Sequence, residues 1–405
     1  MKIDKRHLLN YSILLPYLIL SVLGLIIVYS TTSASSVLNG GSPFGAVVNQ
    51  AGFFVLSLAL LWIIYRMKLT FLRNSNIIGI VIIVEAILLI LARFLGETRN
   101  GAYGWLSVAP GVTLQPAEYL KLIIVWFLAY KFSTKEEMIA KYDYQVITEN
   151  QIIPRTLNDW RTVSALLVGL VVIMPDLGNA VIIALTIAIM VSVSGIGHRW
   201  FQVIIGAIVL GAGSFLGLIW IVGVDVMTRV PVFGYVARRF SAFYDPFADP
   251  QGAGLQLTNS YYAIVNGGWL GRGLGNSIQK NGFLPEAHTD FVFSIVIEEL
   301  GLIGAGLVLA LLFFLILRIF LVGIRAKNSF NAMMALGVGG MLLMQTFVNI
   351  GGMSGLIPST GVTFPFLSQG GNSLLTISLA IAFVLNIDAS EKRDSLEREI
   401  EVSQY

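Results

Sequence analysis

Tyr11–Tyr29 reads YSILLPYLILSVLGLIIVY, an uncharged run close to the roughly 20 apolar residues that cross a bilayer as a helix. No small-residue cleavage site follows it clearly, so it reads as a retained first span rather than a secretory signal. The pattern recurs down the chain. Of 405 residues, 56% are hydrophobic and 12% charged, with a mean hydropathy of +0.79; soluble globular proteins carry about 25% charged residues. The expectation is an all-α polytopic membrane protein with about ten transmembrane helices. They fall near 11–30, 50–65, 76–95, 116–132, 162–175, 178–195, 200–222, 302–322, 331–350 and 373–388. With the N-terminus in the cytoplasm, 18 of the 26 Lys and Arg lie inside and 7 outside, Lys121 being within a span. That bias follows the positive-inside rule with both termini cytoplasmic, and moving the count by one helix would reverse it. The chain reads as one membrane domain, 1–405, with an outer loop at about 223–301 between the seventh and eighth helices and a cytoplasmic tail at about 388–405. The tail is charged and reads as a short helix or a disordered end. There is no cysteine, and the net charge of +3 is too small to imply nucleic acid.

The outer loop is too long to be a simple connection. It is also rich in aromatic and apolar residues, which suits helices lying in the membrane interface. Gly267, Gly268, Gly271, Gly273 and Gly275 suggest tight turns, either linking those helices or letting backbone approach a ligand. The loop closes on Leu284-Pro285-Glu286-Ala287-His288-Thr289-Asp290-Phe291, two carboxylates and a histidine in one short stretch. Such groups are rare near a bilayer unless they face a cavity, a partner or a substrate.

Other charges gather on the same side. Glu118 and Lys121, three residues apart, share a helix face and can pair, either structurally or in a cavity. Asp176 follows Pro175, and Glu298 with Glu299 precede the eighth span. Glu85 is mid-span and reads as a packing hydrogen bond or a partner of Arg93. Two further segments, Asn349 to Gly361 and Phe366 to Ser373, are dense in Gly, Pro and hydroxyl residues. Non-helical backbone at membrane depth is tolerated where it is buried in protein or lines a water-filled cavity, so both are expected to line the outer cavity.

Taken together, Gln115-Pro116-Ala117-Glu118 with Lys121, Pro175-Asp176-Leu177-Gly178, Asp245-Pro246, the Leu284–Phe291 segment with Glu298-Glu299, and the paired Gly/Ser-rich segments resemble one family. It is the FtsW/RodA family of shape, elongation, division and sporulation (SEDS) proteins, and the resemblance runs along nearly the whole chain. Gly273 to Lys280 is similar to the division branch rather than the elongation branch, and Val292 to Leu300 to versions from Gram-positive cocci. Gly104 stands where the family usually has Arg, Gln369 where it has Tyr, Asn372 where it has Ser, and Met174 where Gln is common.

The resemblance implies a peptidoglycan glycosyltransferase that polymerises lipid II at the division septum. Its partners would be a class B penicillin-binding protein and other division proteins of the membrane. By position, Asp290 matches the family's catalytic aspartate, and Glu118 and Lys121 its cavity pair. The chemistry needs a base near an attacking hydroxyl, stabilisation of a departing diphosphate and exclusion of water. Asp290 is expected as the base. Arg238, Arg239, Arg272 and Lys280 are candidates for the diphosphate, and Glu286, His288, Asp176 and Ser368 for the substrate or cavity. No cofactor is called for. A divalent cation, Mg or Mn, could share the work, but no metal-ligand spacing is visible. The alternatives are an elongation-type polymerase, a lipid II flippase and a scaffold that recruits the penicillin-binding protein.

Overall fold

The computed structural model describes residues 5–38, 40–99, 102–109, 112–142, 144–147, 159–197 and 239–403, with isolated positions between 202 and 221. The span expected at 200–222 lies almost wholly outside them, as does Arg238. After a short 3-10 turn at Lys5–Leu8 come α1 (Tyr11–Leu38), α2 (Gly45–Arg66) and α3 (Ser75–Leu95). Strands β1 (Glu97–Arg99), β2 (Ala102–Ala109) and β3 (Val112–Leu114) lead into α4 (Pro116–Ser133). Two short helices, α5 (Glu136–Tyr142) and α6 (Tyr144–Ile147), precede α7 (Trp160–Ile173) and α8 (Leu177–Ser192). The remainder is α9 (Leu255–Gly267), α10 (Val292–Arg325), α11 (Ser329–Met353) and α12 (Gly371–Ser403).

Six of these helices, α1, α2, α3, α10, α11 and α12, are long and apolar enough to cross a membrane, and α7 and α8 are shorter apolar helices. The molecule is a multi-pass membrane protein. Expected and observed helices differ mainly at their ends: α1 continues to Leu38, and α12 carries the charged tail as helix to Ser403. Leucine, isoleucine and valine runs face outward on α2 and α3, where Val48, Val55, Ile80 and Ile83 are exposed. In a bilayer such side chains meet lipid rather than water.

The all-α expectation needs one correction. The three strands form an antiparallel sheet in the order β1-β2-β3, with Glu97 opposite Trp105 and Ser107 opposite Thr113. The strands are short, and their aromatic and β-branched residues (Tyr103, Trp105, Val112, Thr113) favour extended backbone. They sit between two spans, where the hydropathy signal of the neighbours hides them.

The core is built on α4 and α11. Most of α4 is buried, packed among α3, α8, α11 and α12. Close approach depends on Gly337 of α11: a Cβ there would lie 2.4 Å from the Met190 sulfur and 2.5 Å from a Val125 methyl. Small residues at such crossings let helices meet without the hydrophobic drive available in water. On the other side α10 breaks at Gly301, whose backbone is non-helical (φ 70°). A Cβ on Gly301 would sit 2.4 Å from the Gly271 nitrogen. At this crossing the amides of Arg272 and Gly273 donate to the Glu298 and Glu299 carbonyls, and Leu302 donates back to Gly268. The loop is thereby clasped to the start of the helix.

Candidate active site

The cavity opens at the end of the bundle that carries the β-sheet, and its volume is about 630 Å³. It takes residues from α2, the sheet, the starts of α4 and α8, the 286–290 turn, the 360–370 segment and the start of α12. Its charged walls are Glu97, Glu118, Asp176, Glu286, Asp290 and Arg239, and most of the rest is amide or hydroxyl, such as Asn49, Gln50, Ser107 and Asn372.

Asp290 stands at the last turn before α10. The chain reverses at Glu286, which takes a left-handed conformation (φ 58°) unusual for a residue with a side chain. Its carbonyl accepts from the amides of Thr289 (3.1 Å) and Phe291 (3.2 Å), and the Thr289 hydroxyl donates to its carboxylate. The turn is held from outside by three successive carbonyls. The Gln369 amide donates to His288 O at 2.8 Å, Ser368 Oγ donates to Thr289 O at 2.7 Å, and Asn349 Nδ2 donates to Asp290 O at 2.7 Å. The same Asn349 nitrogen donates to Val362 O at 2.6 Å. Asn349 therefore spends both amide protons tying the Asp290 turn to the 354–370 segment. Strained backbone persists only where its surroundings over-determine it, and these contacts do so.

The Asp290 carboxyl faces Arg239. A Cβ on Gly361 would lie 3.2 Å from the Arg239 guanidinium and 3.5 Å from Asp290 Oδ2. Arg239 also donates to Ser359 O at 2.6 Å. Burial pushes the Asp290 pKa up to about 7; Arg239 pulls it down, while Glu286 and Asp176 push it further up. Burial lowers the His288 pKa, against Glu286, which raises it. The imidazole is thus neutral near pH 7, and one ring nitrogen can donate to a substrate hydroxyl while the other accepts.

The other candidates divide. Glu118 lines the cavity and pairs with buried Lys121 at 2.7 Å. Lys121 Nζ also lies 3.3 Å from Gln345 Oε1, and Gln345 Nε2 donates to Thr363 O at 3.0 Å. The pair is both a wall of the cavity and a brace for the 354–370 segment. Asp176 lines the cavity while capping α8, accepting from the Asn179 amide (3.2 Å) and from Gln115 Nε2 (3.1 Å). Ser368 is buried and acts on the turn, not on the cavity surface.

Two expectations are corrected. Lys280 is buried away from the cavity, its ammonium bound to Glu299 (2.7 Å) and Ser30 Oγ (2.8 Å). A buried ammonium needs such a counter-charge, which leaves it no donor geometry toward the cavity. Arg272 is exposed outside the cavity lining, its amide held by Glu298 O. Glu298 accepts from Ser277 and from the Ile278 and Gln279 amides, so it orders the loop. Glu85 is buried, and its Oε1 has no hydrogen-bond partner among the described residues. Among the described residues no three of His, Cys, Asp or Glu stand close enough to hold a metal ion. Asn49, Gln50, Glu97, Ser107 and Thr113 line the cavity without having been anticipated; nothing in their local sequence distinguishes them.

The profile of the FtsW, RodA and SpoVE cell cycle proteins matches residues 11–393. The chain belongs to that family. It is 50% identical over 403 residues to the probable peptidoglycan glycosyltransferase FtsW of Lactococcus lactis, covering 97% of this chain and 95% of that one. It is 36% identical over 400 residues to the probable peptidoglycan glycosyltransferase FtsW of Enterococcus hirae, covering 97% and 96%. Among solved structures, a chain from work on the structural coordination of polymerization and crosslinking by a peptidoglycan synthase complex superposes with a TM-score of 0.72 at 24% identity, covering 95% of this chain and 98% of that one. Thermus thermophilus RodA superposes with a TM-score of 0.61 at 21% identity, covering 95% and 97%. These two likenesses speak for a shared fold.

Proposed function

We propose that this family member is a peptidoglycan glycosyltransferase that polymerises lipid II into glycan strands at the division septum. The FtsW relatives support the activity and the division role. The observation that carries the residue assignment is Asp290 itself, locked by Asn349, Ser368 and Gln369 into a cavity wall with a pKa near 7. A general base works best when its pKa lies near the operating pH. In the reaction, the 4-hydroxyl of one lipid-linked saccharide attacks the anomeric carbon of another. Asp290 accepts the hydroxyl proton, the anomeric carbon–oxygen bond to the diphosphate breaks, and the configuration inverts. Arg239, beside Asp290, balances charge on the departing diphosphate, and neutral His288 orients a hydroxyl.

In this reading the chain has ten spans with both termini in the cytoplasm, and the cavity faces outside, at the depth of a lipid-linked sugar; the Lys and Arg distribution supports that orientation. Consistent with that orientation, Lys5 Nζ donates to Asn386 Oδ1 of α12 at 2.9 Å, so the start of the chain lies beside the last span's exit. The partner is a class B penicillin-binding protein that cross-links the peptides, as suggested by the likeness to a chain studied in a peptidoglycan synthase complex.

The test is polymerisation of purified lipid II in detergent, with a partner made inactive for glycosyl transfer. The wild type is expected to give long glycans and Asp290→Ala to fall by roughly 10²–10⁴-fold, the usual contribution of a general base. A well-folded Asp290→Ala chain polymerising at the wild-type rate would sink the assignment. Absence of product from either chain would move the weight to lipid translocation.

A further inference from the structure

Two side-chain amides and an aromatic ring meet where α2 faces the 366–371 segment in the cavity wall. Gln50 of α2 is buried, and its own amide is engaged by backbone: Oε1 accepts from the Gly370 amide at 3.2 Å, and Nε2 lies 3.5 Å from Ser368 O. The residue between those two, Gln369, donates its backbone amide to His288 O at 2.8 Å. Its backbone is therefore held at three points, while its side-chain amide has no hydrogen-bond partner among the described residues. Asn49, exposed beside Gln50, carries a second side-chain amide with no partner among the described residues. Phe53 lies one turn on from Asn49, on the same face of α2. Gly371 leaves room for its ring, since a Cβ there would be 2.3 Å from Phe53 Cδ2. Asn49, Phe53 and Gln369 all line the large cavity.

A polar side chain on a fixed backbone, with its donor and acceptor both open, is preorganised for a ligand, because little ordering remains to be done on binding. Its chemistry selects the ligand. A side-chain amide offers two N–H donors and an acceptor oxygen, without charge. A sugar hydroxyl likewise both donates and accepts, and an N-acyl group does the same. A diphosphate only accepts, so it would set its anionic oxygens against the amide oxygens. The face of the Phe53 ring carries negative potential, which suits the polarised C–H bonds on the apolar side of a sugar ring.

Resting on the polymerase reading above, we propose that Gln369, Asn49 and Phe53 form a neutral subsite for the saccharide of the lipid-linked substrate. The two amides bond its hydroxyl or N-acyl groups, and the ring packs on its apolar face. Gln369 thus has two roles: its side chain binds substrate, and its backbone amide helps to hold the Asp290 turn through His288 O. The roles separate chemically, because a substitution at Gln369 changes the side chain and leaves the backbone bond in place. A site built on hydrogen bonds to a substrate also rejects analogues that lack the bonded group, so these residues set specificity for the sugar rather than for the lipid.

The experiment titrates the full-length chain in detergent with the lipid-free muramyl disaccharide peptide, followed by calorimetry. Gln369→Met keeps the side-chain length and loses its hydrogen-bonding atoms, Asn49→Ala removes the second amide, and Phe53→Leu keeps an apolar group without a π face. Each is expected to weaken the disaccharide by roughly three- to tenfold, the usual worth of one neutral hydrogen bond or one aromatic contact. In polymerisation of lipid II, Gln369→Met should raise KM by a similar factor while the pH midpoint of the rate stays at the wild-type value. Unchanged disaccharide affinity in Gln369→Met and Asn49→Ala overturns the proposal, as does absence of disaccharide binding by the wild type. A moved pH midpoint in Gln369→Met also overturns it, because the side chain would then act through the Asp290 turn. A thermal melt verifies folding, and if Gln369→Met does not fold, Asn49→Ala, at an exposed position, decides. Failure of the wild type to polymerise lipid II would instead remove the polymerase reading and leave the binding contrast readable.

Discussion

Asp290 is held by its backbone and perturbed through its side chain, and each can be tested separately. Its carboxyl is a neutral acid below pH 7 and a buried anion above it. An unfolded aspartate has a pKa of about 3.9. Between those values the folded chain holds a proton that the unfolded chain has lost, so Asp290 ionisation removes stability as pH rises and its effect levels off above about 7. Asp290→Asn is therefore expected to melt higher than wild type, with a gain that grows from about pH 4 to pH 7 and then stays flat; a melting series against pH checks it. Polymerisation should rise with pH through about 7 as the base ionises. Glu286→Gln removes a charge that raises the Asp290 pKa and should move that midpoint down, whereas Arg239→Gln removes one that lowers it and should move it up. Identical midpoints in all three proteins would mean that another group limits the rate. Asn349→Ala leaves the carbonyls of Asp290 and Val362 without their donor, at about 1–3 kcal/mol for each orphaned buried group. Because the disturbed turn carries Asp290, kcat should fall, measured by initial rates against lipid II concentration.

At the scale of elements, the packing that positions the site runs between distant parts of the chain. Lys280 of the loop meets Ser30 of α1 and Glu299 of α10. Lys280→Met leaves Glu299 as a buried charge without its partner, and breaking such a pair costs roughly 3–5 kcal/mol. The variant should melt markedly lower, and Glu299→Gln combined with it should recover much of the loss; a double-mutant cycle on melting temperature measures this. That bridge explains what sequence reading could and could not reach. Apolar runs located most of the spans because hydropathy is a local property. The Leu284–Phe291 cluster stood out because its charges are contiguous. Charge and loop position, both visible locally, make Lys280 and Arg272 candidates for the diphosphate, while the Glu299 that claims Lys280 and the carbonyl that fixes the Arg272 backbone are set by tertiary contacts. The β-sheet and the cavity residues Asn49 and Ser107 were illegible for the same reason: short strands and single polar residues at helix ends carry no periodic signal.

For the whole molecule, the question is which way the bundle faces. The cavity, the sheet and the beginning of α4 share one end. The 18 residues of α4, at about 1.5 Å each, place Ser133 about 27 Å away, near the thickness of a hydrocarbon core. The charged end of α12 and the Lys5–Asn386 contact belong to the opposite end. Lys and Arg counts favour that opposite end as cytoplasmic, which would put Asp290 where lipid-linked precursors are consumed outside the cell. The chain has no cysteine, so single cysteines report orientation without background. Ser107→Cys and Asn276→Cys, both at exposed positions on the cavity end, should react in intact cells with a membrane-impermeant maleimide. Thr134→Cys and Glu401→Cys, exposed at the other end, should react only after permeabilisation. The reverse pattern would turn the cavity toward the cytoplasm, where a polymerase of external glycan could not use it, and would leave translocation of the lipid-linked precursor as the activity the acidic cavity serves.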